Sequence, residues 1–327
     1  MTLAYDPVVT ARRIAAGDRR ALARAITLVE STRPEHREAA LQILAQLSIP
    51  ENTLRIGITG VPGAGKSTFI EAFGLHLLTL GHRVAVLSID PTSAISGGSI
   101  LGDKTRMEFL SRSANAYIRP SPAGRTLGGV ARRTRETLNL CEAAGYDVVI
   151  VETVGVGQSE TAVASMTDLF LLLLVPGGGD DLQGIKRGIV ELADLVLVNK
   201  ADGDLSAAAN RAAADYTHAF RLLRPRSRHW RVKVATCSAL QGQGIEEAWE
   251  LACEFRSALD NSGEMRENRS NQARAWLWDE VAETLLSHFR MDPKLAERLT
   301  LLEDAVQSGS INPSVAAERL VAEFRST

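Results

Sequence analysis

The sequence predicts an α/β fold, a mostly parallel, twisted sheet with helices on both faces. Two observations carry this. Between residues 54 and 239, seven short apolar runs alternate with helical segments, at 55–59, 83–89, 116–119, 148–152, 169–175, 195–199 and 233–237. The first run leads directly into Gly60-Val61-Pro62-Gly63-Ala64-Gly65-Lys66-Ser67, which fits G-x-x-x-x-G-K-[ST] and opens a helix at Thr68. A strand, a glycine-rich turn and a helix N-terminus make this a P-loop NTPase core.

Bulk properties agree with a folded, soluble chain. The 327 residues suffice for one large α/β domain with appendages, and 45% hydrophobic against 23% charged content is ordinary for such a protein. A formal charge of −2 gives no reason to expect binding to nucleic acid. The longest apolar run, 169–175, is too short for a bilayer, so no membrane association is expected. Cys141, Cys237 and Cys253 form neither a zinc nor a disulfide pattern. Asp6 and Asp18 argue against an organelle presequence, and a cytoplasmic location is expected.

Taken in order, residues 1–50 read as an N-terminal helical extension. Asp18 is placed to cap a helix through Val29. Ser31 or Thr32 is expected to cap another, with Pro34 in its first turn and Leu41, Ile43, Leu44 and Leu47 as apolar positions. The catalytic domain is assigned to 51–260. Residues 261–327 read as a C-terminal helical arm: Trp278, Val281, Leu285 and Phe289 lie along one face of a long helix. A last helix starts at Asn312-Pro313 and turns Ala316, Leu320, Val321 and Phe324 inward. Trp276 and Trp278 point to different faces of one turn, which favours a subunit interface over the alternative, a helical cap packed within the same chain.

The chemistry of the phosphate loop follows from its backbone. Glycines let successive N–H groups point at phosphate oxygens, and the following helix adds the positive end of its dipole. Gly60 through Thr68 are therefore assigned to the nucleotide phosphates. Lys66 reaches the β- and γ-phosphates, and Ser67 offers its hydroxyl to Mg²⁺. No second lysine occurs in Val61-Pro62-Gly63 to act across an interface.

Asn199-Lys200-Ala201-Asp202 fits N-K-x-D after an apolar strand. The Asp202 carboxylate can accept from the ring N–H and the exocyclic amine of guanine, donors that adenine does not present in that arrangement. Lys200 can cover the base, Asn199 can tie this loop to the phosphate loop, and Ser238-Ala239-Leu240 can offer a backbone N–H to the guanine carbonyl. Glu152 ends an apolar strand where many NTPases carry a metal-directed acid, and Gly155 follows three residues later, positioned for the γ-phosphate. Asp90, also at a strand end, and Asp103 are further Mg²⁺ candidates. The competing readings are a cap for Asp90 and a solvated loop acid for Asp103. The glycine-rich stretch after Val175 carries Asp180, Asp181, Gln183 and Lys186, read either as a nucleotide-responsive switch or as a flexible connector.

These residues together resemble the MeaB-type GTPases, chaperones of methylmalonyl-CoA mutase, some of which bear the name arginine/ornithine transport-system kinases. The likeness covers nearly the whole chain, and its matching stretches are 57–67, 97–107, 151–160 and 199–202. Within 97–107 the run Gly97-Gly98-Ser99-Ile100-Leu101-Gly102-Asp103 is specific to this group, as is Gly155-Val156-Gly157-Gln158-Ser159-Glu160.

The resemblance implies a homodimer held by the C-terminal helices. It implies slow hydrolysis of GTP to GDP that the mutase accelerates. It also implies that the nucleotide state gates adenosylcobalamin loading and protects the mutase from inactivation. Lys66, Ser67, Asp90, Asp103 and Glu152 would line the phosphate and Mg²⁺ site, with Lys66, Glu152 and Asp90 the catalytic group and Asp180, Gln183 and Lys186 the switch. Gln158 is a candidate to orient the attacking water and Arg106 to stabilise charge. The alternative enzyme is a P-loop kinase acting on a small molecule or a transport-system protein, which needs an acceptor pocket with a base. A GTP-driven metal-insertion chaperone would need a Cys/His cluster that the cysteines do not provide.

Overall fold

The computed structural model describes residues 6–89, 107–120, 127–153, 159–176 and 187–325. Among these, seven strands form one sheet in the order β3-β2-β4-β1-β5-β6-β7: β1 Leu54–Gly60, β2 Val84–Ile89, β3 Ala116–Arg119, β4 Val148–Thr153, β5 Leu169–Leu174, β6 Leu195–Val198 and β7 Lys233–Thr236. Every neighbouring pair is parallel. Each of the seven apolar runs thus contributes one strand.

A strand buried on both faces reads as a continuous apolar run, yet its side chains still alternate. In β5, Leu169, Leu171 and Leu173 join the core on one face, while Phe170, Leu172 and Leu174 join the core on the other. The first face is covered by α4 (Lys66–Thr79), α5 (Glu108–Arg112) and α10 (Ile245–Ser262). The second is covered by α6 (Leu127–Ala143), α7 (Ser159–Ala164), α8 (Arg187–Val190) and α9 (Ser206–Leu222), together with the N-terminal helices α1 (Pro7–Ala15), α2 (Arg19–Glu30) and α3 (Pro34–Leu44). The α7 segment comes close to β1 because position 57 has no side chain. A Cβ on Gly57 would lie 2.7 Å from Val163 and 2.8 Å from Thr167.

The Asp18 carboxylate caps α2, accepting from the Arg20 and Ala21 N–H groups at 2.8 and 3.1 Å. The cap of α3 differs from expectation. Its N-cap is Arg33, without a side-chain bond, because Pro34 occupies the first helical position and places the cap at residue 33 whatever its side chain. Leu41 is exposed rather than inward, while Ile43 is buried.

The chain divides into two compact units, 1–272 and 273–327, within helix α11 (Glu264–Met291). The second unit contains the rest of α11, then α12 (Pro293–Gln307) and α13 (Pro313–Arg325). In it, Phe289 meets Phe324 edge-on at 5.3 Å, and Leu295, Leu302 and Ala316 are buried. Asn312 caps α13 through the Ser314 N–H at 2.9 Å. Trp278, Val281, Leu285 and Val321 are exposed within the unit, so of the expected apolar face only Phe289 packs inward, and Val321 turns out from α13. Helix α12, which the sequence did not set apart, supplies Leu295 and Leu302 to this packing.

One buried acid gives unit 1 a pH signature. Asp194 accepts from the Phe170 N–H at 2.9 Å and from Arg226 at 3.1 Å. Burial pushes its carboxyl up to about 6, against Arg226 and that N–H. A carboxyl raised in the fold binds its proton more tightly there than in the unfolded chain. Its contribution is therefore present in full below about pH 4 and lost as pH rises through about 6, a difference of about 3 kcal/mol. Urea unfolding from pH 4 to 7 is expected to show Asp194→Asn gaining on the parent across this window. A constant difference would refute the assignment.

Candidate functional site

The site is assembled where strands end. Gly60 closes β1 against β5 so tightly that a Cβ would lie 2.3 Å from the Leu173 carbonyl oxygen. The loop then turns through Gly63 and Gly65, both left-handed at φ +80° and +84°, and α4 begins at Lys66. No side chain caps α4. Its first N–H groups are thereby left for an anion, the arrangement that binds phosphate. Val61 and Ser67 are half-buried, Ala64 is buried, and Pro62, Gly63 and Thr68 are exposed at the mouth.

Lys66 folds back over this loop, its Nζ donating to the Gly60 carbonyl at 2.9 Å and to that of Val61 at 3.5 Å. Burial lowers its pKa, while the carboxylates of Glu152 and Glu160 act in the opposite direction and favour the ammonium. Glu152, one residue before the end of β4, lies between Ile58 and Ser88 of the neighbouring strands and is buried. Thr153 donates to Thr59 at 2.8 Å, joining the ends of β4 and β1.

Asn199 is the clasp between the two halves of the site. Its Nδ2 donates to the Ala64 carbonyl in the phosphate loop at 2.8 Å. Its Oδ1 accepts from the Ala239 N–H at 3.0 Å and from the Cys237 thiol at 3.6 Å. Burial pushes that thiol up to about 12, so it remains a donor. Gly65 is constrained by the same clasp: a Cβ there would lie 2.8 Å from Asn199 Nδ2.

Lys200 is exposed and left-handed at φ +60°, a costly conformation for a residue other than glycine. Asp202 is half-buried, and its carboxylate takes no hydrogen bond among the described residues. In the next turn, the Ser238 N–H is held by the Gln243 carbonyl at 2.9 Å and the Ala239 N–H by Asn199. Leu240, 82% exposed, is the residue of the triplet whose N–H has no acceptor among the described residues.

Lys66 and Glu152 thus lie together beside the phosphate loop, and Asn199 fastens the N-K-x-D segment to it. Asp90, Asp103, Gly155, Asp180, Gln183 and Lys186 fall outside the described residues, as do Arg106 and Gln158. Sequence reasoning missed Glu160, fully buried at the start of α7 and acting on Lys66. Its only signal was its place at the end of the 155–160 run. The described residues hold no cluster of three metal-ligating side chains. Among the candidate ligands they include a hydroxyl, Ser67, and a carboxylate, Glu152, the oxygen donors a hard divalent cation takes.

A family profile described as methylmalonyl Co-A mutase-associated GTPase MeaB matches residues 22–294. The chain belongs to the MeaB family. Relatives agree along almost its full length. A putative GTPase of Caulobacter vibrioides is 55% identical over 95% of this chain and 96% of its own. The mouse protein named methylmalonic aciduria type A homolog, mitochondrial, is 51% identical over 95% of this chain and 77% of its own. GTPase ArgK of Escherichia coli is 49% identical over 97% and 96%. A solved structure of a protein named LAO/AO transport system kinase superposes with a TM-score of 0.76 at 40% identity, covering both chains fully. This MeaB-family protein is a GTPase with the P-loop fold, and guanine nucleotide binding comes with the family.

Proposed function

We propose that this GTPase is a chaperone of adenosylcobalamin-dependent methylmalonyl-CoA mutase, gating cofactor loading and protecting the mutase from inactivation. The observation that supports this reading most directly is the match to a mutase-associated family over residues 22–294, reinforced by the mouse relative's name. Gly60 to Thr68 hold the phosphates, with Lys66 on the β- and γ-phosphates. Asp202 reads guanine, Lys200 covers the base, and the Ser238-Ala239-Leu240 turn faces its carbonyl. Asn199 keeps the two loops in register.

Ser67 and Glu152 would hold Mg²⁺, with Asp90 and Asp103 as further ligands. When bound, the ion neutralises charge on the phosphates. Lys66 and the α4 amides stabilise the charge that develops as water attacks the γ-phosphate in line, with Glu152 and Asp90 completing the catalytic group and the Gly155 N–H offered to the γ-phosphate. Asp180, Gln183 and Lys186 respond to the nucleotide.

We assign 1–50 to a helical extension, 51–260 to the GTPase domain and 261–327 to a dimerisation arm. In the arm, Leu277, Trp278, Leu285 and Leu301 are each more than half exposed, a surface suited to a second copy. A cytoplasmic location and no membrane or nucleic-acid partner complete the proposal. No helix among the described residues is long and apolar enough to cross a membrane.

The test is GTP turnover with and without purified methylmalonyl-CoA mutase. Turnover is expected to rise by at least about tenfold with the mutase, the order a partner-supplied stabiliser achieves or exceeds. An unchanged rate would refute the chaperone reading. Labelled phosphate appearing on an acceptor, rather than free in solution, would favour the kinase named by the solved relative.

A further inference from the structure

The far edge of the sheet carries a second candidate site. β7 is the last strand in the sheet order. In a strand, successive residues direct their N–H and C=O groups to alternate sides. The Cys237 N–H donates to the Val198 carbonyl of β6 at 2.9 Å, so Cys237, Ala235 and Lys233 face β6. Thr236 and Val234 therefore face away, and Val232 lies just before the strand. Gly244 covers Thr236: a Cβ on it would lie 2.5 Å from the Thr236 carbonyl oxygen.

Val234 and Val232 instead border an open cavity of about 670 Å³. Phe220 and Leu223, at and just beyond the end of α9, and Leu251 of α10 also line it. Because α9 and α10 cover opposite faces of the sheet, a cavity touching both follows the strand edge.

The charge here is one-sided. Between Asp215 and Glu246 the chain has six basic residues and no acid, within a protein of net charge −2. Arg221, Arg224, Arg226, Arg231 and Lys233 line the cavity, against Glu191 and Glu247. Arg226 is committed to Asp194 and to the Leu192 and Ala164 carbonyls, and Lys233 pairs with Glu254. Arg221, Arg224 and Arg231 are exposed and make no ion pair or hydrogen bond among the described residues.

We propose that this edge receives an extended, acidic segment of a partner protein as an added strand. The outward backbone groups of Val234 supply hydrogen bonds, Val232, Phe220, Leu223 and Leu251 supply apolar walls, and the three arginines meet the carboxylates. A second copy of this chain would bring the same arginines together and be repelled. A phosphate ligand needs convergent buried donors, whereas these guanidiniums are spread along an exposed rim. Nucleic acid would want an exposed aromatic platform, but Trp230 is buried and packs edge-on to Phe255 at 5.4 Å. The cavity runs along Lys233, Val234 and Ala235 of β7 and the residues that precede it, and neither Lys66 nor Asn199 lines it.

The test uses the full chain and a fluorescein-labelled peptide with a valine core flanked by glutamates, read by anisotropy. Binding that weakens with salt is expected. It should fall by at least about tenfold in Arg221→Glu/Arg224→Glu/Arg231→Glu. It should fall similarly in Val234→Pro, which removes an outward N–H while leaving the pairing with β6 intact. GTP turnover should match the parent in both variants, the melting temperature should match it in the triple variant, and the same peptide flanked by lysines should not bind. Absent binding, or equal binding by Val234→Pro, would overturn the proposal. So would stronger binding of duplex DNA or inorganic pyrophosphate that is lost in the triple variant.

Discussion

Replacing Lys66 with alanine is expected to lower single-turnover GTP hydrolysis by roughly two to three orders of magnitude, the effect of removing one preorganised charge from a phosphoryl-transfer site. The ammonium is held in reserve: it donates to the Gly60 carbonyl at 2.9 Å, within the loop that would receive the phosphates. Burial alone would favour losing its proton, and Glu152 and Glu160 act to retain it. A charge kept in a partly dehydrated setting interacts more strongly with a phosphate than one in water. Alanine is the best helix former at this first position of α4, so the melting temperature should stay near that of the parent. Lys66→Arg should not restore turnover, because a planar fork cannot replace a compact ammonium on this curled backbone. Hydrolysis at the parent rate in the alanine variant would remove Lys66 from the chemistry.

The phosphate loop was legible because its constraints are local. Glycine is needed where φ is positive and where β1 touches β5, and both demands fall within eight consecutive residues. The strands were legible because parallel strands covered on both faces must be apolar throughout, as Leu169–Leu174 is. Asn199 was legible as a link between the loops, but its second link, to Ala239 and Cys237, depends on how β6 and β7 lie side by side. Glu160 was not legible. An acid in the first turn of a helix usually faces solvent and answers the dipole, and only the fold brings this one to Lys66. The α3 cap misled because Ser31 and Thr32 offer cap chemistry, while Pro34 fixes the helix start one residue beyond them. The arm showed its apolar spacing in sequence, but spacing does not say which residues meet. Phe289 finds Phe324, while Trp278 and Val321 stay exposed.

The largest stability loss is expected from Arg269→Ala, about 3–5 kcal/mol, as when one partner of a buried ion pair is removed. Arg269 lies near the start of α11 and grips Asp168 with two parallel bonds, Nε to Oδ1 at 2.8 Å and Nη2 to Oδ2 at 2.7 Å. Nη2 also donates to the Thr53 carbonyl at 2.7 Å, just before β1. The Asp168 side chain is 1% exposed, so without Arg269 it keeps a carboxylate bonded to the Arg55 N–H but with no facing cation. Behind it, Arg55 makes a second paired contact with Glu142 at 2.8 Å through each nitrogen, and Thr53 donates to the same carboxylate at 2.6 Å. The two ion pairs thus meet at residues 53–55, where the sheet's central strand begins. An exposed pair would contribute less than about 1 kcal/mol, so the magnitude itself discriminates. Arg269→Lys should recover only a minor part, because one ammonium cannot serve both carboxylate oxygens and the Thr53 carbonyl with the same geometry. Urea unfolding of Arg269→Ala, Asp168→Ala and the double variant should show the double losing less than the sum of the singles, since removing Arg269 after Asp168 no longer strands a buried charge. Strict additivity would mean that the two side chains, although in contact, stabilise the fold independently.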